Sequence, residues 1–328
     1  MNNKQQESKM NKREFLFLYD AKDCIPNGDP FTGEQRYDED TQTALVSDVR
    51  LKRYIRDFLD NNKDDTDFLN QEIDIVFYSD KSGKKTTGLR AVEISPKKED
   101  IDNLEDLKNK CIDVRLFGTV VAKGKNKDDE YNTQATGAVQ FKMFNRTINK
   151  VFLPTTQNTT IMVSSDGNTQ GSMATFSYLP YGIFSCVGYF NSTTGKENCT
   201  SEEDLKKMKI ALWNEINTKN TRSKPNTQQS RLLIEIEYND DYYKIPDIEY
   251  SIKIDNEKKF KYRVFDDIKE DLNFSKLEKF LNSSKELIKS LNVYIDSFSF
   301  EKDFLNLDDE LKKKTKYFTI QGKNIKEL

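Results

Sequence analysis

Apolar positions in this chain fall into short runs separated by polar loops, a spacing that suits strands and single amphipathic helices. Glu14–Lys22 (EFLFLYDAK) is a compact apolar and aromatic run of the length of a buried strand. Residues 23–42 are rich in Gly, Pro, Asp and Thr and read as a loop. From Asp48 to Leu59 the spacing becomes helical, with Ser47 as the N-cap. On a wheel of about 100° per residue, Leu51, Tyr54, Ile55, Phe58 and Leu59 share one side. Lys52, Arg53 and Arg56 share the other, and Arg50 stands at the far edge of the apolar side. The apolar face would pack on a sheet and leave a cationic stripe outward, able to track a phosphate backbone.

Further along, the pattern predicts strands over 72–78, 113–121 and 137–144, and a charged helix over 98–109. Residues 79–88 and 122–133 read as turns and loop. Thr155–Ser177 is rich in Thr, Ser, Asn and Gly, with Asp166-Gly167 at its middle, which predicts a long projecting hairpin. A strand over 181–190 follows. A helix then starts at Ser201, with Glu202, Glu203 and Asp204 suited to its dipole, and runs to about Ile216. After a basic loop at 218–229 comes an alternating strand over 231–238. The remainder predicts a strand at 248–254, a helix at 275–291, an aromatic strand at 293–300 and a charged segment at 310–316. Without insertions the order is strand, helix, strand, strand, helix, strand. That order implies an α+β, ferredoxin-like plan, the split βαβ arrangement shared with RNA-recognition modules. Its body would be 14–60 and 136–240, with an insertion at 61–135, a hairpin at about 155–178 and an extension at 241–328 packed on the body.

Composition narrows the function. In 328 residues, 33% are charged and 35% apolar, and no apolar run approaches membrane-spanning length. Residues 1–13 lack a hydrophobic stretch and read as a short disordered tail, so the cytoplasm is the expected location. The net charge of −3 argues against indiscriminate nucleic-acid binding. A local positive stripe on such a chain fits a protein that grips phosphates at one place. There is no histidine, which excludes histidine-based triads, general bases and zinc sites. Cys24, Cys111, Cys186 and Cys199 form no CxxC pair and are expected to be free buried thiols.

The loop carboxylates Asp23, Asp29, Asp38, Glu39 and Asp40 could hold Mg²⁺ for phosphodiester hydrolysis. Their spacing suits capping of turns and of the following helix better. Gly83-Lys84, Gly124-Lys125 and Gly195-Lys196 lack the preceding glycine of a phosphate loop, which argues against nucleotide hydrolysis. Phe15, Phe17, Phe184 and Phe190 lie in apolar runs and are expected in the core, not stacked on bases. Lys142, Arg146, Arg222 and Lys224 fall in or beside loops expected near the sheet.

Several segments resemble one family. Asn27-Gly28-Asp29-Pro30 resembles the NPNGDP signature of the CRISPR-associated backbone subunit of Cascade, the Cas7 family, in its type I-B branch. Residues 47–56 (SDVRLKRYIR) are similar to that family's TDVxLKRxIR helix. DVRLFG at 113–118, TGAVQF at 136–141, PYGIF at 180–184, and SEEDL at 201–205 with ALW at 211–213 are similar to further segments of it, in the same order. The pattern's proline in the TGPVQF segment is Ala138 here, and the first NP pair is replaced by Cys24-Ile25 before Pro26.

The resemblance implies a ferredoxin-like (RRM-like) palm, a finger-like insertion at 61–135 and a hairpin thumb at about 155–178, where Met162 or Met173 would wedge against a base. It implies a non-enzymatic subunit without cofactor that polymerises along CRISPR RNA and presents it to target DNA. Its partners would be neighbouring copies, the large subunit, repeat-processing and handle-binding subunits, and a helicase-nuclease recruited after target binding. Guide contacts would fall on Lys52, Arg53 and Arg56, with Arg50, Arg115, Gln140, Lys142, Arg146, Arg222 and Lys224 as second-rank candidates. Asn27 and Gly28 would shape the loop that meets the RNA. The alternative is an RNA-cleaving backbone subunit of type III-like kind, with a metal held at Asp38 or Asp40.

Overall fold

The apolar run near the N-terminus forms the central strand of the molecule. A computed structural model describes residues 10–78, 86–96, 103–121, 133–159, 173–219, 226–255, 257 and 261–328. Strand β1 (Arg13–Cys24) opens one residue before the expected run. Successive side chains of a strand point to opposite faces. Here Phe15, Phe17, Tyr19 and Ala21 enter one core cluster, while Leu16 and Leu18 enter another. Burial on both faces explains why the sequence shows a continuous apolar run.

β2 (Tyr37–Asp38), β3 (Thr43–Ser47) and helix α1 (Asp48–Asn61) follow. The insertion holds α2 (Thr87–Ile94), α3 (Asn103–Lys110), α4 (Ile112–Phe117) and the paired strands β4 (Gly118–Val121) and β5 (Thr133–Thr136). Next come β6 (Val139–Phe141), β7 (Phe144–Thr147), the hairpin β8 (Thr155–Thr159) and β9 (Met173–Ser177), and β10 (Leu179–Phe190). Helices α5 (Ser192–Glu197) and α6 (Glu202–Thr218) lead into β11 (Gln228–Tyr238). The C-terminal region supplies β12 (Lys253–Ile254), α7 (Phe265–Lys269), β13 (Leu272–Asn273), α8 (Ser275–Ser283), β14 (Ile288–Ile295), α9 (Asp309–Lys314), β15 (Thr315–Gln321) and β16 (Asn324–Glu327).

One large mixed sheet runs in the order β16-β15-β14-β11-β1-β10-β7-β3-β2, with β6 also paired to β10. β1 pairs antiparallel with both β10 and β11, and β14 pairs parallel with β15. Helices α1 and α6 bury Leu51, Tyr54, Ile55, Trp213 and Ile216 in the first cluster with Phe15, Phe17 and Tyr19. The C-terminal region covers the other face with Ile245, Ile268, Leu277, Leu281 and Phe300. A smaller cluster around Phe77, Cys111, Val114 and Val121 holds the insertion together.

The structure corrects several expected elements. Residues 72–78 form turns with one isolated bridge, Ile75 to Cys111, and no strand. DVRLFGTVV splits into α4 and β4, because Arg115 buries its guanidinium and Gly118 takes a left-handed φ of +74°. Ile248–Tyr250 is a turn of 3₁₀ helix. The helix expected over 275–291 stops at Ser283, and Ile288–Ile295 becomes a strand because β11 offers it an antiparallel partner. The charged 310–316 segment joins α9 to β15. Residues 1–9, 79–85, 97–102, 122–132, 160–172, 220–225, 256 and 258–260 are outside the described residues, so Met162, Arg222, Lys224 and the tip of the expected hairpin are too. Cys24, Cys111 and Cys186 are buried free thiols, but Cys199 is exposed, at φ +57° after α5. Phe15, Phe17, Phe184 and Phe190 are all buried.

Candidate nucleic-acid interface

The Asn-Gly-Asp-Pro turn and the basic helix form one stitched unit. Asn27 Oδ1 accepts hydrogen bonds from the backbone N–H (2.8 Å) and hydroxyl (2.9 Å) of Ser47. Ser47 does stand at the N-cap of α1, but its hydroxyl serves this bond and caps no helical N–H. Arg50 Nε donates to the Pro26 carbonyl (2.9 Å), and the Tyr54 hydroxyl donates to the same oxygen (3.3 Å). Gln35 Oε1 accepts from Asn27 N–H (3.0 Å), and Gly28 bridges to Gln35. The loop between β1 and α1 is therefore held on the first turns of the helix by buried polar contacts, each of which would be costly to leave unmade.

The cations behave unequally. Arg53 is the open one, with its side chain 57% exposed and an i,i+4 pair to Asp57. Asp57 also accepts from Lys219 (2.6 Å), which follows α6 and opens the expected basic loop. Lys52 is mostly covered, with its side chain 12% exposed, between Asp48 (3.1 Å) and the exposed Gln140 (3.4 Å). Arg56 turns inward. Its Nε donates to Asp113 (3.1 Å), and its guanidinium stacks over Tyr78 and Phe117. Arg50 lies over the Tyr54 ring. The wheel thus places the stripe, but each of its three members has an acidic partner, and Arg53 alone of the three stays largely exposed.

Arg115 is corrected as a phosphate contact. Its Nε and Nη2 grip Asp204 (2.9 and 2.7 Å), and Nη2 also reaches Asp74 (3.2 Å). Its Nη1 donates to the carbonyls of Ile73, Lys108 and Asn109. A buried guanidinium with its donors taken offers nothing to a phosphate. Lys142 pairs with Glu249, and Arg146 pairs with Asp38, on the sheet face opposite α1 and beside a cavity of about 470 Å³ that also carries Tyr250 and Lys253. Asp38 accepts from Asp40 N–H and Thr41 N–H besides Arg146, and Asp29 accepts from Phe31 N–H and Thr32 N–H. These bonds hold both carboxyl groups below their ordinary pKa. They are the turn-capping roles that the spacing suggests. Met173 opens β9.

The sequence model of the CRISPR-associated protein Cas7 family matches residues 11–273. The chain belongs to the Cas7 family. It is 26% identical over 310 residues to a CRISPR-associated protein Cas7 of Haloferax volcanii, covering 88% of this chain and 87% of that protein. In fold it is similar to a chain of a CRISPR RNA-guided surveillance complex in a pre-nicking state (TM-score 0.53, 11% identity, 90% of this chain and 95% of that one). A second chain, from a CRISPR RNA-guided surveillance complex, aligns with TM-score 0.50 and 11% identity over 89% of this chain and 93% of that one.

In this Cas7 chain, the segments that carry the family resemblance clasp one another. The NGDP turn binds the helix start through Asn27 and Ser47. The LKRYIR helix binds DVRLFG through Arg56 and Asp113, and Asp113 also accepts from Phe77 N–H (2.7 Å) and Tyr78 N–H (3.1 Å). DVRLFG binds SEEDL through Arg115 and Asp204, while Asp204 closes a capping box with Ser201. Asn198 Nδ2 donates to the carbonyls of Arg115 and Thr136, joining both segments to the approach to α6. Much of the signature therefore builds the scaffold, and Arg53 is the most exposed cation of the SDVRLKRYIR helix. Lys219 is absent from the sequence-based candidates, although its place at the start of a basic loop is an available signal.

Proposed function

We propose that this Cas7 protein binds CRISPR RNA as a repeating backbone subunit of a surveillance complex, in the type I-B branch. The observation that carries the reading is the family match over residues 11–273, joined by a relative aligned over most of both chains. Guide phosphates would meet Arg53 and Lys52 on α1, with Gln140 beside them and Lys219 at the adjoining loop. Non-specific backbone contacts of this kind leave the bases free, so pairing reads the sequence.

Strand order supports a ferredoxin-like palm: β11-β1-β10-β6 with α1 and α6 on one face is the order of a split βαβ unit. Residues 61–135 would be the finger and the β8–β9 hairpin the base of the thumb, with Met173 or Met162 as its wedge. Copies would stack head to tail in the cytoplasm through a heterologous contact that does not close, which builds a helical filament. Target DNA, the large subunit, the repeat-processing and handle-binding subunits and a recruited helicase-nuclease would complete the assembly. The subunit would hold RNA without cutting it.

The test is guide retention. Arg53→Glu with Lys52→Ala should lower the RNA that co-purifies with the native assembly while the melting curve stays unchanged. Arg56→Ala belongs in a separate arm, since it breaks a structural ion pair. RNA retention equal to the unmodified chain would sink the reading. Incubation of the loaded assembly with complementary RNA and Mg²⁺ should leave that RNA intact. Regular cleavage abolished by Asp38→Ala or Asp40→Ala would favour the type III-like alternative.

A further inference from the structure

The ring of Phe31 is 96% exposed at the tip of the loop between β1 and α1. The tip is rigid. Pro30 fixes the preceding φ. Asp29 Oδ1 accepts from Phe31 N–H (2.9 Å) and Thr32 N–H (3.3 Å). Backbone bonds close the turn below them, from Gly33 N–H to the Asp29 carbonyl (2.8 Å) and from Asp29 N–H to the Glu34 carbonyl (2.7 Å). Arg36 answers the Asp29 charge at 3.4 Å. Asn27 and Pro26 then fasten the loop to Ser47, Arg50 and Tyr54. The backbone that carries the ring is thus held relative to the helix that carries Arg53.

The exposed residues next to it in the turn are Pro30, Thr32 and Glu34, and none is a large apolar side chain. A protein-docking patch pools several apolar side chains over a contiguous area. A single flat ring on a turn bonded to the start of the helix that carries Arg53 is instead the form of a base-stacking platform. We infer that Phe31 stacks on an unpaired nucleobase of the single strand held along α1. This rests on the RNA-binding reading above. Phosphate contacts at Arg53 would set the path of the backbone, and Phe31 would fix one base against it. Stacking of this kind tolerates any base, because every base has a π-face.

The chain has one tryptophan, Trp213, and it is buried. Phe31→Trp in the whole chain therefore places a second indole at the tip against a constant background. Titration with single-stranded RNA of mixed sequence should quench the new emission in step with binding, and salt should reverse it. Phe31→Ala should weaken binding by about 5- to 150-fold, the span of single-base stacking losses. Phe31→Tyr should restore most of it. RNA binding with no quenching, or with no loss in Phe31→Ala, overturns the inference and leaves the RNA-binding reading intact. A blue shift on self-association without nucleic acid assigns the ring to a protein interface and also overturns it. Failure of the unmodified chain to bind RNA overturns both readings together.

Discussion

Gly118 and Gly137 lie back to back, so close that neither position has room for a Cβ. A Cβ on Gly118 would stand 2.6 Å from the Gly137 nitrogen and 2.1 Å from the Ala135 carbonyl oxygen. One on Gly137 would stand 2.3 Å from the Phe117 carbonyl carbon. These two glycines belong to DVRLFG and TGAVQF, so the pairing of β4 with β5 depends on both. Gly137→Ala should destabilise the protein by at least about 1–3 kcal/mol. Gly118→Ala should do more harm, since its φ of +74° is also strained for any residue with a Cβ. Thermal melts of the two variants check this, and a Tm equal to that of the unmodified chain for either would refute the close approach.

Arg56 and Arg53 share one helix but should fail differently. Arg56→Ala leaves the buried Asp113 carboxylate without its cation and should cost about 3 kcal/mol. Arg53→Ala removes an exposed side chain and should change stability by less than about 0.5 kcal/mol. Denaturation of both variants, with RNA content measured on the folded fraction, separates a scaffold residue from a contact residue.

Arg115→Lys should not rescue Arg115→Ala. The guanidinium reaches Asp204 with two nitrogens and Asp74 with one of them, and a lysine ammonium cannot reproduce that fork. Both variants should lose about 3–5 kcal/mol, as expected when one member of a buried pair is removed or misplaced. A lysine variant with unchanged Tm would show that charge alone suffices there.

Glu235 gives the fold an acid limb. Burial alone would push its pKa up, but Lys209 and Arg13 outweigh that and hold it at about 2, below the ordinary 4.5. A depressed carboxyl pKa contributes stability that is full above about 4.5 and fades as pH falls toward about 2. Glu14 runs the other way. Burial raises its pKa, against the hydrogen bond from Tyr238, so its penalty at neutral pH is relieved by acid. Glu235→Gln should therefore be markedly less stable than the unmodified chain at neutral pH, and the gap should narrow through the acid range. A gap that stays constant across the titration would contradict this assignment.

The elements with a strong internal pattern are legible in the sequence. β1, α1, β10, α6 and β11 each carry an apolar run or stripe long enough to fix its type. A short apolar run is ambiguous, as at DVRLFGTVV, where Val114, Leu116 and Phe117 suit strand or helix alike and only the fit of Arg115 to Asp204 decides. The helix expected through Leu291 fails because periodicity cannot register the waiting edge of β11. The wheel shows where Lys52, Arg53 and Arg56 point around the helix axis. It cannot show Asp113, 57 residues away, drawing Arg56 inward. Phe31 is invisible to pattern because one aromatic in a polar loop leaves no periodic trace.

The placement of β1 between β10 and β11 also sets an order of events during synthesis. Arg13 is in register with Phe190 on one side and Glu237 on the other. Strand β1 therefore leaves the ribosome well before either of the strands that complete it. At the usual pace of translation its apolar side chains wait on the order of 10–40 s for both partners. Such long-range pairing is slow to form and open to misassociation in the meantime. A cell making this chain would thus depend on chaperones to carry the nascent strand across that interval.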